Sequence, residues 1–169
     1  IRGIEPHVGP VRGGTLLRIW GANMGANMDG GGAVVCKFGT FEKQLWTTPA
    51  VGRTVSDVHC VSPATDQPQL LYVELSINGN DFSSSKVRYT AVEDPVITSL
   101  FPVYVRTDGG THVVVTGKRL RKSMYLKCRF GLSSPSTAEY ISDEAVRCVA
   151  PPRVAGYATV MVSIDGSRY

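Results

Sequence analysis

The sequence predicts an all-β chain made of two tandem β-sandwich modules. Three observations carry the prediction. An internal repeat recurs at a spacing of about 90 residues, its matched blocks alternate apolar and polar residues, and each copy holds two cysteines at corresponding places.

The repeat is read from an ordered set of matches. Pro6 pairs with Pro102, Gly13-Gly14-Thr15 with Gly109-Gly110-Thr111, and Gly21 with Gly117, all 96 residues apart. Cys36-Lys37-Phe38-Gly39 pairs with Cys128-Arg129-Phe130-Gly131 at 92, and Cys60 and Pro63 pair with Cys148 and Pro151 at 88. Ser76-Ile77-Asn78-Gly79 pairs with Ser163-Ile164-Asp165-Gly166 at 87. The offset changes only between blocks, as length changes in loops would produce. The glycine-rich stretch from Gly21 to Gly32 is one place where the first copy is longer.

The blocks read as strands. Val34, Cys36 and Phe38 alternate with Val35 and Lys37, and Leu126, Cys128 and Phe130 alternate with Lys127 and Arg129. Val73, Leu75 and Ile77 alternate with Tyr72, Glu74 and Ser76, and Val160, Val162 and Ile164 alternate with Met161 and Ser163. A period of two sends the first set of each to a core and the second to solvent. Gly13-Gly14, Asn78-Gly79 and Asp165-Gly166 are turn signals between strands. No segment carries a 3.6-residue apolar stripe, so the pattern is that of sandwiches.

Taken in this order, the proline, Gly-Gly-Thr, Cys-x-Phe-Gly, Cys-x-x-Pro and Ser-Ile-(Asn/Asp)-Gly blocks resemble the IPT/TIG family of immunoglobulin-like domains. That family occurs in plexins, the hepatocyte growth factor receptor, fibrocystin-type proteins and other large surface proteins, and a related domain sits in Rel-type transcription factors. The resemblance implies two immunoglobulin-like sandwiches, over residues 1–92 and 95–169. The first copy carries Gly9-Pro10 ahead of its Gly-Gly-Thr, where the second carries Val105-Arg106. A last strand, Lys86-Val87-Arg88-Tyr89, follows Phe82 in the first copy, while Tyr169 aligns with Phe82. The second copy is therefore expected to lack its last strand, leaving a sheet edge that another chain could pair with.

Four cysteines permit three connectivities, and the repeat favours Cys36–Cys60 with Cys128–Cys148. Such bridges imply an oxidising, extracellular or cell-surface setting; four free thiols would indicate the cytosol.

Candidate sites are few. Lys118-Arg119-Leu120-Arg121-Lys122, after a strand expected over Thr111 to Gly117, is the strongest surface feature. Lys118, Arg119, Arg121 and Lys122 would suit an anionic partner such as an acidic protein face, a sulfated glycan or DNA. The net charge is +4, split as −1 up to Asp94 and +5 from Pro95 onward, so the cationic excess belongs to the second copy. His7, His59 and His112 have no nucleophile motif beside them, and Ser83-Ser84-Ser85 reads as a polar turn, so no catalytic residue is assigned. His59 adjoins Cys60 without zinc-ligand spacing, Gly30-Gly31-Gly32 lacks a following Lys-Ser/Thr, and Asn78, Asn80, Asp81 and Asp94 do not make the dense carboxylate set that calcium needs. No cofactor and no metal are expected, and no N-x-Ser/Thr acceptor is present.

No apolar run approaches the ~20 residues of a membrane-spanning helix, and the chain starts at Ile1 without a signal-like segment. A membrane anchor is thus expected only outside these residues. Tyr89 is expected to end the first copy and Ile97 to begin the second, with Pro95 restricting Asp94 and stiffening the joint. The implied function is a non-catalytic structural or interaction segment of a large extracellular or surface protein, working through contacts with other protein domains or through spacing. The alternatives are the stalk of a signalling receptor, a DNA-binding or dimerisation module of a Rel-like factor, and an accessory domain of a polysaccharide-acting enzyme. DNA binding is the minor option because the cysteines pair and no other DNA-reading motif is present.

Overall fold

Alternating inward and outward residues form strands at each matched block. The computed structural model describes residues 1–24, 32–41 and 45–169, in two compact units, Ile1–Glu93 and Asp94–Tyr169.

Unit 1 contains β1 (Gly3–Glu5), β2 (Val8–Pro10), β3 (Leu16–Trp20), β4 (Val35–Gly39), β5 (Leu45–Arg53), β6 (Asp57–Val61), β7 (Gln69–Ser76) and β8 (Val87–Val92). They are ordered β1-β3-β6-β5-β4-β7-β8-β2. The long β5 pairs with β4 through its first half and with β6 through its second, with a register shift between Ala50 and Gly52. It thereby passes from one sheet of a sandwich to the other. Leu17, Ile19, Phe38, Val58, Leu71, Val73 and Tyr89 fill the space between the sheets. Cys36 on β4 is bonded to Cys60 on β6, so the disulfide ties the two sheets through the core.

Unit 2 repeats the plan with β9 (Val96–Phe101), β10 (His112–Lys118), β11 (Lys127–Phe130), β12 (Ser136–Thr137), β13 (Glu139–Ser142), β14 (Ala145–Val149) and β15 (Val160–Ser163). One sheet runs β13-β14-β10-β9 and the other β12-β11-β15. Val113, Val115, Leu126, Val146 and Val162 are buried between them. The Cys128–Cys148 bond joins β11 to β14 across the same gap as in unit 1.

The motif residues meet in space. Gly13 and Gly109 take φ of +70° and +79°. Each lies so close to the backbone after Cys-x-x-Pro, at Pro63–Ala64 and Pro151–Pro152, that a Cβ would collide with it. The Gly-Gly-Thr and Cys-x-x-Pro blocks are thus two sides of one close backbone approach, open only to glycine.

Three expectations change. Glu74, Ser76 and Ser163, placed on the solvent side by alternation, are buried. Their polar atoms are satisfied locally: Ser83 Oγ and the N–H groups of Ser85 and Lys86 donate to the Glu74 carboxylate, and Ser76 and Ser163 donate to Asn78 and Asp165. The joint between modules is shorter than expected, because β8 runs on to Val92 and β9 starts at Val96. The strand expected over Thr111 to Gly117 ends at Lys118, so that cation belongs to β10 rather than to the loop.

Asp57, at the start of β6, accepts hydrogen bonds from Ser56 Oγ at 2.9 Å and Arg18 Nε at 3.0 Å. The Ser56 hydrogen bond foremost, and then the Arg18 guanidinium, hold its carboxyl below the usual carboxylate range. A depressed folded-state pKa contributes stability above the unfolded-state value, and that stability is lost as pH falls through the folded value. Unit 1 should therefore lose stability below about pH 4. Asp57→Asn should flatten that acid limb in urea titrations across pH 2.5–6, where a limb of unchanged slope would refute the assignment.

Candidate interaction surface

Two surfaces of unit 2 stand out, an uncovered sheet edge and a basic corner. The edge follows from comparing the matched strands β7 and β15. In unit 1, β7 pairs with β4 on one side and β8 on the other, and β8 in turn pairs in parallel with β2. Among the described residues β15 pairs with β11 alone. The segment Tyr104–Arg106, matched to β2, is not a strand. Among the described residues no strand lies beside it as β8 lies beside β2.

Beside the β15 edge lies an apolar groove of about 500 Å³. Val105, Val113, Phe130, Ala150, Ala158 and Val160 line it, and Tyr104, Val154 and Tyr157 stand exposed at its rim. In unit 1 the corresponding space is filled by Tyr89, which is 1% exposed and meets the ring of Phe38 edge-on at 6.3 Å. Phe130 is the match of Phe38 and faces the groove instead. Arg153, also on the lining, donates from Nη2 to the Tyr157 carbonyl at 3.1 Å and holds the 153–157 turn against the groove.

The end of the groove-bearing sheet is fixed in the same way in both units. Lys37 Nζ lies 4.3 Å from the Phe82 ring centroid, and the Arg129 guanidinium lies 4.4 Å from that of Tyr169. These cation–π pairs occupy matched positions and hold the chain after each Ser-Ile-(Asn/Asp)-Gly turn against the sheet. Desolvation foremost raises the pKa of the Tyr169 phenol, against the lowering field of Arg129.

The basic corner is a pinned structure. Lys118 closes β10, and Arg119 takes a left-handed φ of +60° while its Nε donates to the Asp94 carbonyl at 3.1 Å. Leu120 is fully buried and donates its N–H to the Asp143 carbonyl at 2.9 Å. This anchor turns Lys118, Arg119, Arg121 and Lys122 outward. A shallow hollow there also includes Asp143 and Glu144, two carboxylates that sequence reasoning did not connect with the cations.

The other candidates are placed as follows. All four cysteines are bonded, Cys36 to Cys60 and Cys128 to Cys148. Asn78 Oδ1 accepts from the N–H groups of Asn80 and Asp81, which closes the turn on itself. Among the described residues no group of three or more His, Cys, Asp and Glu is placed to hold a metal ion. The Gly25–Met28 loop and Gly30-Gly31 of the glycine run lie outside the described residues. Sequence reasoning missed the groove lining, because those residues are far apart in the chain. The signal that could have found it was the Gly9-to-Val105 difference between the copies.

Residues 95–169 match the family profile described as the IPT/TIG domain. Plexin-A3 of Rattus norvegicus is 30% identical over 158 residues, 91% of this chain and 8% of that protein. Plexin-B3 of Homo sapiens is 29% identical over 163 residues, 96% of this chain and 8% of that protein. The chain thus spans a small fraction of the curated relatives it matches. A solved plexin A4 full extracellular region superposes with a TM-score of 0.72 at 21% identity, over 96% of this chain and 14% of that one, which shows the shared fold. The buried disulfides agree with an extracellular or cell-surface location. Over residues 95–169 the chain carries an IPT/TIG domain.

Proposed function

We propose that this chain is a non-catalytic stalk segment of a cell-surface receptor, with residues 1–92 and 95–169 acting as two modules that space other domains and contact protein partners. The observation that carries the reading is the pair of disulfide-tied sandwiches joined by a short link. Spacing is supported by the link, since three residues, Glu93 to Pro95, separate β8 from β9, and proline limits the freedom of the residue before it. The similarity to plexins over most of the chain supports the receptor setting. The paired cysteines favour it over a Rel-like module in the cytosol or nucleus.

Contact of Lys118, Arg119, Arg121 and Lys122 with an anionic partner ranks second, because Asp143 and Glu144 share their surface and offset part of their field.

Small-angle scattering tests the spacing role. The chain should give one narrow distribution of distances between its units, and inserting four Gly-Ser residues after Asp94 should broaden it. A distribution already broad in the unaltered chain would exclude a spacer.

A further inference from the structure

We infer that the basic corner of unit 2, formed by Lys118, Arg119, Arg121 and Lys122, is a docking site for a linear sulfated glycan, and that Asp143 and Glu144 beside it disfavour polyanions of lower charge density. The inference rests on the anionic-partner reading above and names the partner. The spacing role does not depend on it.

The corner has a counterpart in unit 1 that carries no charge. A shift of 96 residues matches Lys118, Arg119 and Leu120 to Ala22, Asn23 and Met24. The local geometry is the same in both. Asn23 and Arg119 each take φ of +60°, and Met24 and Leu120 are buried anchors, 3% and 0% exposed. The fold therefore builds this turn twice, and only unit 2 places cations on it. A left-handed φ suits asparagine, whose short polar side chain bonds locally, and costs arginine more. The turn itself does not need arginine, since asparagine makes it in unit 1. Arg119 donates to the Asp94 carbonyl, a neutral acceptor, so the guanidinium keeps its charge.

Elsewhere in unit 2 several cations are matched to neighbours. Arg106 and Arg147 pair with Asp108 at 2.7 Å and Glu139 at 2.8 Å, and the Arg129 guanidinium lies on the Tyr169 ring. At the corner, four exposed cations stand against two carboxylates, and Asp143 Oδ1 also accepts the Tyr140 hydroxyl at 2.5 Å. Gly117 and Leu120 donate their N–H groups to the Glu144 and Asp143 carbonyls, which fixes the turn before any ligand arrives. A fixed turn loses little freedom on binding. Short Lys/Arg runs are the pattern of nucleic-acid and heparin contacts, and the two disulfides favour the compartment in which sulfated glycans are the polyanions met. Arginine takes two oxygens of such an oxyanion at once, and lysine adds a point charge. The hollow is shallow, which suits a chain lying across it rather than a small anion enclosed on all sides.

The experiment uses the whole 169-residue chain and three probes: a heparin oligosaccharide, the same oligosaccharide with its sulfates removed, and an oligo-glutamate peptide of matched length. Titration calorimetry over a range of salt should show heparin binding with a log K against log[salt] slope of about −3, and the other two probes at least about tenfold weaker. Arg121→Ala/Lys122→Ala, at exposed positions, should weaken heparin binding by about tenfold or more and make the slope shallower by about 2. Arg119→Asn, which installs the residue of unit 1, should weaken it about fivefold and leave the unfolding midpoint unchanged, whereas a purely structural role would move the midpoint and not the affinity. Asp143→Asn/Glu144→Gln should tighten binding about threefold. Oligo-glutamate bound as tightly as heparin would overturn the glycan and keep the anionic-partner reading. A DNA duplex bound more tightly than heparin would do the same. No binding of any probe would overturn both. Heparin bound undiminished by Arg121→Ala/Lys122→Ala would place the contact away from the corner and overturn the inference.

Discussion

Tyr89→Ala should destabilise unit 1 by about 4 kcal/mol while leaving unit 2 unchanged, the largest single-residue effect expected in the chain. Tyr89 is the largest of the fully buried side chains, sits on β8 opposite Leu71, and packs edge-on against Phe38. Removing its ring deletes buried apolar area and leaves a void that strands on both sides prevent from closing. Aromatic pairing adds to the loss beyond area alone. Urea unfolding followed by amide signals of each unit separately would measure the change. A loss under about 1 kcal/mol would mean that the ring is not part of the closed core.

Cys128→Ala/Cys148→Ala should destabilise unit 2 by about 3 kcal/mol, and Cys36→Ala/Cys60→Ala should do the same to unit 1. The sequence separations, 20 and 24 residues, are close enough that the chain-entropy cost of the two bridges is nearly equal. A module of this size has a total stability of only about 5 kcal/mol, so either loss is most of the margin. Each double variant should therefore leave its own unit largely unfolded at 37 °C. Circular dichroism melts of the two variants, with and without reductant, measure the change. An unchanged midpoint in either would contradict the bridge.

The residues with the clearest meaning in the sequence were those under a local rule. Cys36, Phe38, Leu126, Cys128 and Phe130 are buried where alternation put them. Glu74 broke the rule because a loop eleven residues later, at Ser85, folds back to satisfy its carboxylate. Its match in unit 2 is Met161, which accepts a weak contact from Arg129 Nη2 at 3.7 Å. The Glu74 carboxylate of unit 1 thus has a thioether at its matched place in unit 2. Nothing in the alternation of either strand distinguishes these two cases, since each is decided by a partner brought in from outside the strand.

By itself the sequence determined the two-copy plan, the inward set of the matched strands and the pairing of the cysteines. These follow from periodicity and from repetition, which act on neighbours along the chain or on whole blocks at once. Only the tertiary structure decided that Gly13 and Gly109 pack on the backbone beyond Cys-x-x-Pro, that Asp143 and Glu144 share a corner with the basic residues, and that Phe130 faces a groove where Phe38 faces Tyr89. Each of these joins residues far apart in sequence. Such contacts are selected by strand pairing and exclusion of volume across the sandwich, and neither leaves a periodic trace in one chain.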